Sequence, residues 1–244
     1  MRRVSLIDMY WRCFCIQGSW SYKAMIGLGF CFCALPILRA MQKSDEERRQ
    51  FLLRHLEFFN SHPFFVSWSL GAVAKLEEEA VRKNWPDHSP ISIFKQRMMG
   101  PLGAIGDRLF WSGLKPVVAA LSVWLALEIG WIALPVLLIL YNAPVFYFRG
   151  LGLSLSYQKG FDVVQYFSMR RFQPWIDVCV GLGALFTGMC LMAAAHWTLA
   201  KNFKFLMAFI ISLPLALVLL HLKRSINLIM VICMAMAILC GMVF

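Results

Sequence analysis

The sequence predicts an all-α integral membrane protein, with amphipathic and re-entrant helices in its N-terminal half and about four transmembrane passes in its C-terminal half. Three observations point there. The first is composition: of 244 residues 60% are hydrophobic and only 15% charged, whereas soluble domains carry about 25% charge and about 45–50% apolar residues. The second is the presence of uninterrupted apolar segments long enough to cross a bilayer, which takes roughly 20 residues. The third is a division of charge along the chain. Residues 1–115 hold 16 Lys/Arg and 10 Asp/Glu, while residues 116–244 hold 8 and 3, with no acid after Asp177. Region 1–115 therefore reads as amphipathic or re-entrant, and region 116–244 as membrane-spanning. The net charge of +11 would suit a polyanion, but juxtamembrane Lys and Arg drawn to anionic lipid explain the same excess. No nucleic-acid partner is expected.

Taken in order, Met1 to Arg12 is short, polar and charged at both ends, unlike a secretory signal, so the N-terminus is expected to be retained. Asp45-Glu46-Glu47 opens a helix, with Ser44 as N-cap and Glu47 at the capping-box position. Its apolar stripe is Phe51, Leu52, His55, Leu56 and Phe59. Pro63 ends or kinks this helix, a second runs from about Phe64 to Lys83, and Asn84-Trp85-Pro86-Asp87 is a loop. Glu77-Glu78-Glu79 with Arg82 and Lys83 reads as a solvated helix face.

Further on, Gly100, Gly103 and Gly106 break an apolar run ahead of Asp107, Arg108 and Trp111. Backbone too glycine-rich for a regular helix is tolerated at membrane depth only when sheltered by protein or lining a polar cavity, which makes residues 91–116 the first candidate for a substrate path. Pro116 to Phe148 is apolar but interrupted by Glu128, Pro135, Asn142 and Pro144, so one span plus a broken piece is expected. Ile176–Trp197, Phe203–Leu222 and Ile226–Phe244 are read as three more spans. Lys and Arg are nearly balanced between the two sides of an alternating count, so the positive-inside rule leaves orientation open.

Five residues stand out as candidate substrate-binding groups: His55, Asn60, His62, Asp107 and Trp111. In residues 54–63 carboxylate, amide and imidazole groups alternate with aromatic rings, chemistry that suits a sugar's hydroxyls and its C–H face. On a continuous helix His55, Phe59 and His62 would line one face and Glu57 and Asn60 another. A helix cap with structural polar contacts is the competing reading. His55 and His62 are two turns apart, about 10 Å, too far to share one ion, and no metal site is expected. Asp107 and Trp111 would share a face if a helix begins at Gly106, and ionisable groups at membrane depth are functional candidates. An ion pair of Asp107 with Arg108 or Lys115 that merely locks the fold is the alternative. None of the eight cysteines has C-x-x-C spacing. There is no G-x-S-x-G, P-loop or HExxH motif, and neither a catalytic residue nor a cofactor is expected.

Five blocks carry a resemblance. Arg12, Phe14, Gln17, Ser19 and Trp20 form an R-x-F-x-x-Q-x-S-W pattern, followed by Gly29-Phe30 and Pro36. RHLEFFNSHP stands at 54–63, LEEE at 76–79, MGPLGAIGDRLFW at Met99 to Trp111, and Lys115-Pro116 behind it. In order and length these resemble the IID membrane subunit of the mannose/fructose/sorbose family of the phosphoenolpyruvate-dependent sugar phosphotransferase system (PTS). The resemblance implies one IID-like domain in the cell inner membrane, multi-pass and part of a hetero-oligomer surrounded by membrane lipid. With a IIC subunit it would form the channel for mannose-type hexoses or related sugars. A IIB subunit, charged by IIA, would phosphorylate the sugar, so phosphoryl transfer would lie with those partners.

The chain departs from the family pattern at Ser21 and Lys23, where an amide and a carboxylate are usual, at Ala24, where an arginine is usual, and at Arg108, where a small residue is usual. Ser156-Tyr157-Gln158-Lys159-Gly160 replaces a block opening on Gly-Tyr, and the polar segment between the last spans shrinks to about Thr198–Lys204. Added positive charge near the sugar path implies either an anionic sugar or a degenerate IID-like scaffold or regulator without transport.

Overall fold

The computed structural model describes residues 4–41 and 44–199, with isolated positions beyond 210. The spans expected at 203–222 and 226–244 lie, those positions apart, outside the described residues. Among the described residues the regular structure is helical, joined by short turns and two isolated β-bridges.

Helix α1 (Leu6–Arg12) starts at Ser5, whose hydroxyl accepts from the Asp8 N–H at 3.3 Å. Asp8 in turn accepts from Arg12 at 2.8 Å, one turn on. After a turn of 3₁₀ helix at Cys13–Cys15, a loop leads to α2 (Gly27–Ala40). Helix α3 (Asp45–Leu56) carries the capping box expected from Ser44 and Glu47.

Helix α3 stops at Leu56 and does not run on through Phe59. Glu57 leaves helical geometry at φ −53°, ψ 157°. The backbone of Phe59 then pairs with the loop before α2: its N–H donates to the Ala24 carbonyl at 3.3 Å and its carbonyl accepts from Ile26 at 3.0 Å. The Phe59 ring is fully buried, 4.6 Å from that of Phe30. Two backbone bonds and a buried aromatic side chain outweigh one more helical turn. The shared helical faces expected for His55, Phe59 and His62, and for Glu57 and Asn60, therefore do not form.

Helix α4 (Val66–Arg82) is the centre of the molecule, with every residue from Val66 to Ala74 buried. A helix apolar on all sides must be surrounded. Its main neighbour is α7 (Ala133–Lys159), and small residues set their close approach. A Cβ at Gly71 would run into the Leu153 carbonyl and the Ser156 hydroxyl, and one at Gly152 into the Trp68 ring. The loop expected at 84–87 is present, with Asn84 at φ 47°.

Helix α5 (Ser89–Gly106) passes through Gly100, Gly103 and Gly106 as a regular α-helix, correcting the irregular backbone expected there. Irregularity begins after the glycines, where Asp107–Leu114 winds as a π-helix and leads without a break into α6 (Lys115–Ile129). Pro116 supplies a reason. In α register the Ser112 carbonyl needs the N–H of residue 116, and proline has none. In the wider i→i−5 register, in which Lys115 donates to the Phe110 carbonyl, the Ser112 carbonyl faces the N–H of Val117 and not the missing one of Pro116. No new helix starts at Asp107.

The interruption expected between 116 and 148 falls at Gly130, φ +65°, and not at Pro135, Asn142 or Pro144, all of which lie within α7. Gly160, φ +54°, ends α7. A 3₁₀ segment at Gly160–Tyr166 leads to α8 (Met169–Leu199), which begins a turn or more before Ile176. Ser89–Tyr166 and Met169–Ala193 are long and apolar enough to cross a membrane, and their most apolar windows are only 6% and 11% buried within the protein. Apolar helices left this uncovered have lipid or partner protein as their natural surroundings.

Candidate functional site

A cavity of about 590 Å³ opens where the last half of α5, the π segment, the Phe58–Pro63 segment and the loop after α1 converge. The wall made by α5 and the π segment presents Gly100, Gly103, Asp107 and Trp111, positions three to four apart along the continuous helix. A Cβ at Gly100 would meet nothing within 4 Å, and one at Gly103 only the Ser61 Cα at 3.9 Å. These two glycines make room; they do not break the helix.

Gly106 acts differently. A Cβ there would collide with the His62 ring, so its absence lets His62 lie flat against the helix. The His62 ring stacks on Phe110 at 5.4 Å and 16°, and meets Trp111 edge-on at 5.3 Å. Nδ1 of His62 accepts from the Phe64 N–H at 3.3 Å, which places the proton on Nε2. That N–H is buried and has no partner among the described residues. Burial, assisted by the nearby Arg149 guanidinium, lowers the His62 pKa to about 4. At neutral pH the ring is an uncharged donor beside the cavity.

Around it lie further groups able to bond a ligand. Ser61 contributes a buried hydroxyl without a partner among the described residues. The Asn60 backbone N–H donates to the Met99 sulfur at 3.2 Å, and its side chain is exposed on the cavity wall. Gln17 adds a second amide and Trp20 a second indole. Trp20 and Trp111 are 47% and 52% exposed, leaving ring surface free to stack. Asp107 is the carboxylate of the cavity and forms no ion pair among the described residues, so neither Arg108 nor Lys115 locks it. The Trp20 loop is pinned by Met25, at φ 51°, whose N–H donates to the Ser21 carbonyl at 2.7 Å.

Four of the five candidates, Asn60, His62, Asp107 and Trp111, thus surround one cavity. His55 lies elsewhere, wholly buried between α3 and α4. Its Nε2–H donates to the Glu77 carboxylate at 3.1 Å, and Arg54 donates to the same oxygen at 2.9 and 2.7 Å. Burial lowers the His55 pKa to about 4 against the pull of Glu77, so the ring is neutral. Glu77 is fully buried, which corrects the solvated face expected for Glu77-Glu78-Glu79. Glu78 accepts from the Tyr157 hydroxyl at 2.6 Å. Lys23 and Arg108 are exposed, and neither lines the cavity. Ser61, Gln17 and Trp20 were not singled out as site residues; their only signal was membership in the same polar-aromatic blocks as Asn60 and the Arg12–Trp20 pattern.

Long uncovered apolar helices and a polar, tryptophan-flanked cavity beside a π-wound segment, in described residues whose regular structure is helical, are the build of a membrane protein. Similar solved structures agree. The complex of the mannose transporter ManYZ with microcin E492 contains a chain that superposes with TM-score 0.63 at 32% identity, over 77% of this chain and 70% of that one. The chain belongs to the family described as the PTS system mannose/fructose/sorbose family IID component, which it matches over residues 1–244. The mannose-specific EIID component of Escherichia coli K12 is 36% identical over 185 residues, 75% of this chain and 64% of that protein. The fructose permease IID component of Bacillus subtilis 168 is 32% identical over 201 residues, 81% of this chain and 71% of that protein. The chain therefore spans just under two thirds of the length of the Escherichia coli relative.

Proposed function

We propose that this chain is the IID-type subunit of a phosphoenolpyruvate-dependent sugar phosphotransferase system in the cell inner membrane. With a IIC subunit it forms the path for mannose-type hexoses or related sugars, and the cavity at Asn60, His62, Asp107 and Trp111 is its share of that path. IIA and IIB partners carry the phosphoryl group.

The observation that carries this reading is the convergence of unpaired hydrogen-bonding groups with two indole rings. A sugar needs donors and acceptors for its hydroxyls and a flat apolar surface for its C–H face. His62 Nε2–H and Ser61 Oγ are buried without partners among the described residues, and a ligand hydroxyl relieves the cost of each, about 1–3 kcal/mol per unsatisfied group. Asp107 accepts, and the amides of Asn60 and Gln17 do both. Because Lys23 and Arg108 stand outside the cavity wall, a neutral sugar fits better than an anionic one. His55 serves this function indirectly, by holding α3 on α4.

Uptake of labelled hexoses in a deletion strain, complemented by this chain with its cognate IIC subunit, tests the proposal. The wild-type chain should restore uptake, and Asp107→Asn should reduce it by about tenfold or more, the cost of a weakened charged hydrogen bond. Normal membrane insertion with undiminished uptake would remove Asp107 from the path.

A further inference from the structure

The π segment faces two spaces. Asp107 and Trp111 look into the polar cavity, while Leu109, Phe110 and Leu114 form the wall of a groove of about 550 Å³. Phe148 on α7 and Trp175 and Cys179 on α8 close the groove's other sides. Its lining is almost wholly carbon, and it lies within the two segments suited to cross a membrane. The rings at its mouth, Tyr147 and Trp175, are 63% and 66% exposed. Amphipathic aromatic rings of this kind favour the level of lipid headgroups.

Charge at one end of the groove indicates what fills it. On α8, Arg171, Trp175 and Cys179 follow at steps of four residues and share one face. Arg171 therefore stands one turn beyond the groove's end, with Arg170 beside it. Both are exposed, and neither joins an ion pair among the described residues. The acid nearest along α8, Asp177, accepts from Gln173 at 2.7 Å and sits on a different face. From Arg171 to Cys179 is about 12 Å of helix, against about 15 Å for one leaflet's hydrocarbon. A purely apolar helix laid in the groove would leave both cations without a counter-charge, Arg171 having only the Tyr166 ring beneath it at 5.1 Å. A molecule with an anionic head and an aliphatic tail satisfies both features.

We propose that the groove and the Arg170-Arg171 pair form a site for an anionic phospholipid, its phosphate on the guanidiniums and one acyl chain against the π segment. Phe110 belongs both to the groove wall and to the His62 stack. An acyl chain in the groove would thus brace the polar cavity from behind. This site is independent of which sugar, if any, the cavity takes.

Bromine-bearing acyl chains quench tryptophan on contact, which provides the test. The full-length chain is placed in phosphatidylcholine nanodiscs doped with a minor fraction of dibrominated phosphatidylglycerol, or of dibrominated phosphatidylcholine. The Trp175 signal is taken as the difference from a Trp175→Phe chain. The expected result is quenching by the phosphatidylglycerol probe at roughly tenfold lower mole fraction, from two arginines near an anionic head, with the preference lost in Arg170→Gln/Arg171→Gln. Those two side chains are exposed, so the double variant keeps its fold. Cys179→Phe, which fills the groove, should lower quenching by both probes. Equal quenching by the two lipids would mean annular lipid only. Absence of quenching would mean another part of the chain covers the groove, and a preference surviving in the arginine variant would assign it elsewhere. Each of these three results overturns the proposal.

Discussion

Glu77 and Gly106 illustrate how single residues hold this site in shape. Glu77 takes three hydrogen bonds on one oxygen, from Nε and Nη2 of Arg54 and from His55, and is wholly buried with His55. Removing the carboxylate's charge leaves a mostly buried guanidinium with no anion. Breaking one half of a buried ion pair costs about 3–5 kcal/mol. Glu77→Gln should therefore lower the thermal unfolding midpoint in detergent sharply. Glu78→Gln, which loses charge only in a bond from Tyr157, should cost about 1 kcal/mol. Similar losses from the two would mean that the Glu77 cluster is wetter than its burial implies. The glycines of α5 divide in the same way. Gly106→Ala drives a methyl into the His62 ring, an overpacking worth about 1–3 kcal/mol, and should impair both stability and uptake. Gly100→Ala adds a methyl to open space and improves helix propensity by about 1 kcal/mol. It should leave the fold intact and affect only what the cavity admits.

Among elements, the continuous α5–π–α6 unit forms one wall of the cavity, and Pro116 offers a reason for its winding. Pro116→Ala restores the N–H that lets the Ser112 carbonyl return to α register, which would shorten the π segment and turn Asp107 and Trp111 relative to His62. The expected outcome is an unfolding midpoint at or above wild type with reduced hexose uptake. A loss of stability instead would show that the proline supports the packing and not the winding. This element also marks where sequence reading succeeded and where it ended. The capping box at Ser44 and the Asn84–Asp87 loop were legible, because each depends on neighbours within a few positions. The burial of Glu77 was not, since three glutamates in a row look like a wetted face unless the partners from α3 are known. Nor was the purpose of Gly100 and Gly103: a glycine that opens a cavity and one that breaks a helix are the same letter. His55 and His62 were grouped by helical spacing, and the pull of Phe59 into the core separated them.

At the scale of the whole molecule, the two neutral histidines tie the fold to pH. His55 and His62 both have folded pKa values of about 4, lowered chiefly by burial, whereas a histidine in the unfolded chain titrates near 6.5. Above about pH 6.5 neither state binds the extra proton, and the full stability is present. Between about 6.5 and 4 the unfolded chain takes up protons that the folded one refuses, so stability falls as pH falls, by up to about 1.4 kcal/mol per pH unit for each histidine. Below about 4 both states are protonated and this contribution stops changing. The two rings sit at different junctions, His55 between α3 and α4 and His62 between the Phe58–Pro63 segment and the π segment. Acid therefore loosens the scaffold and the cavity together. Unfolding midpoints in detergent should be flat from pH 8 to about 6.5 and then decline. His55→Gln retains a donor for Glu77 but cannot titrate, so it should lower the midpoint at neutral pH while reducing the slope below pH 6.5. A ligand bonded to His62 Nε2 should shift that ring's share of the slope, because a bound neutral imidazole is harder still to protonate. Midpoints that fall only where carboxylates titrate, below about pH 4.5, would show that neither imidazole is held neutral by burial.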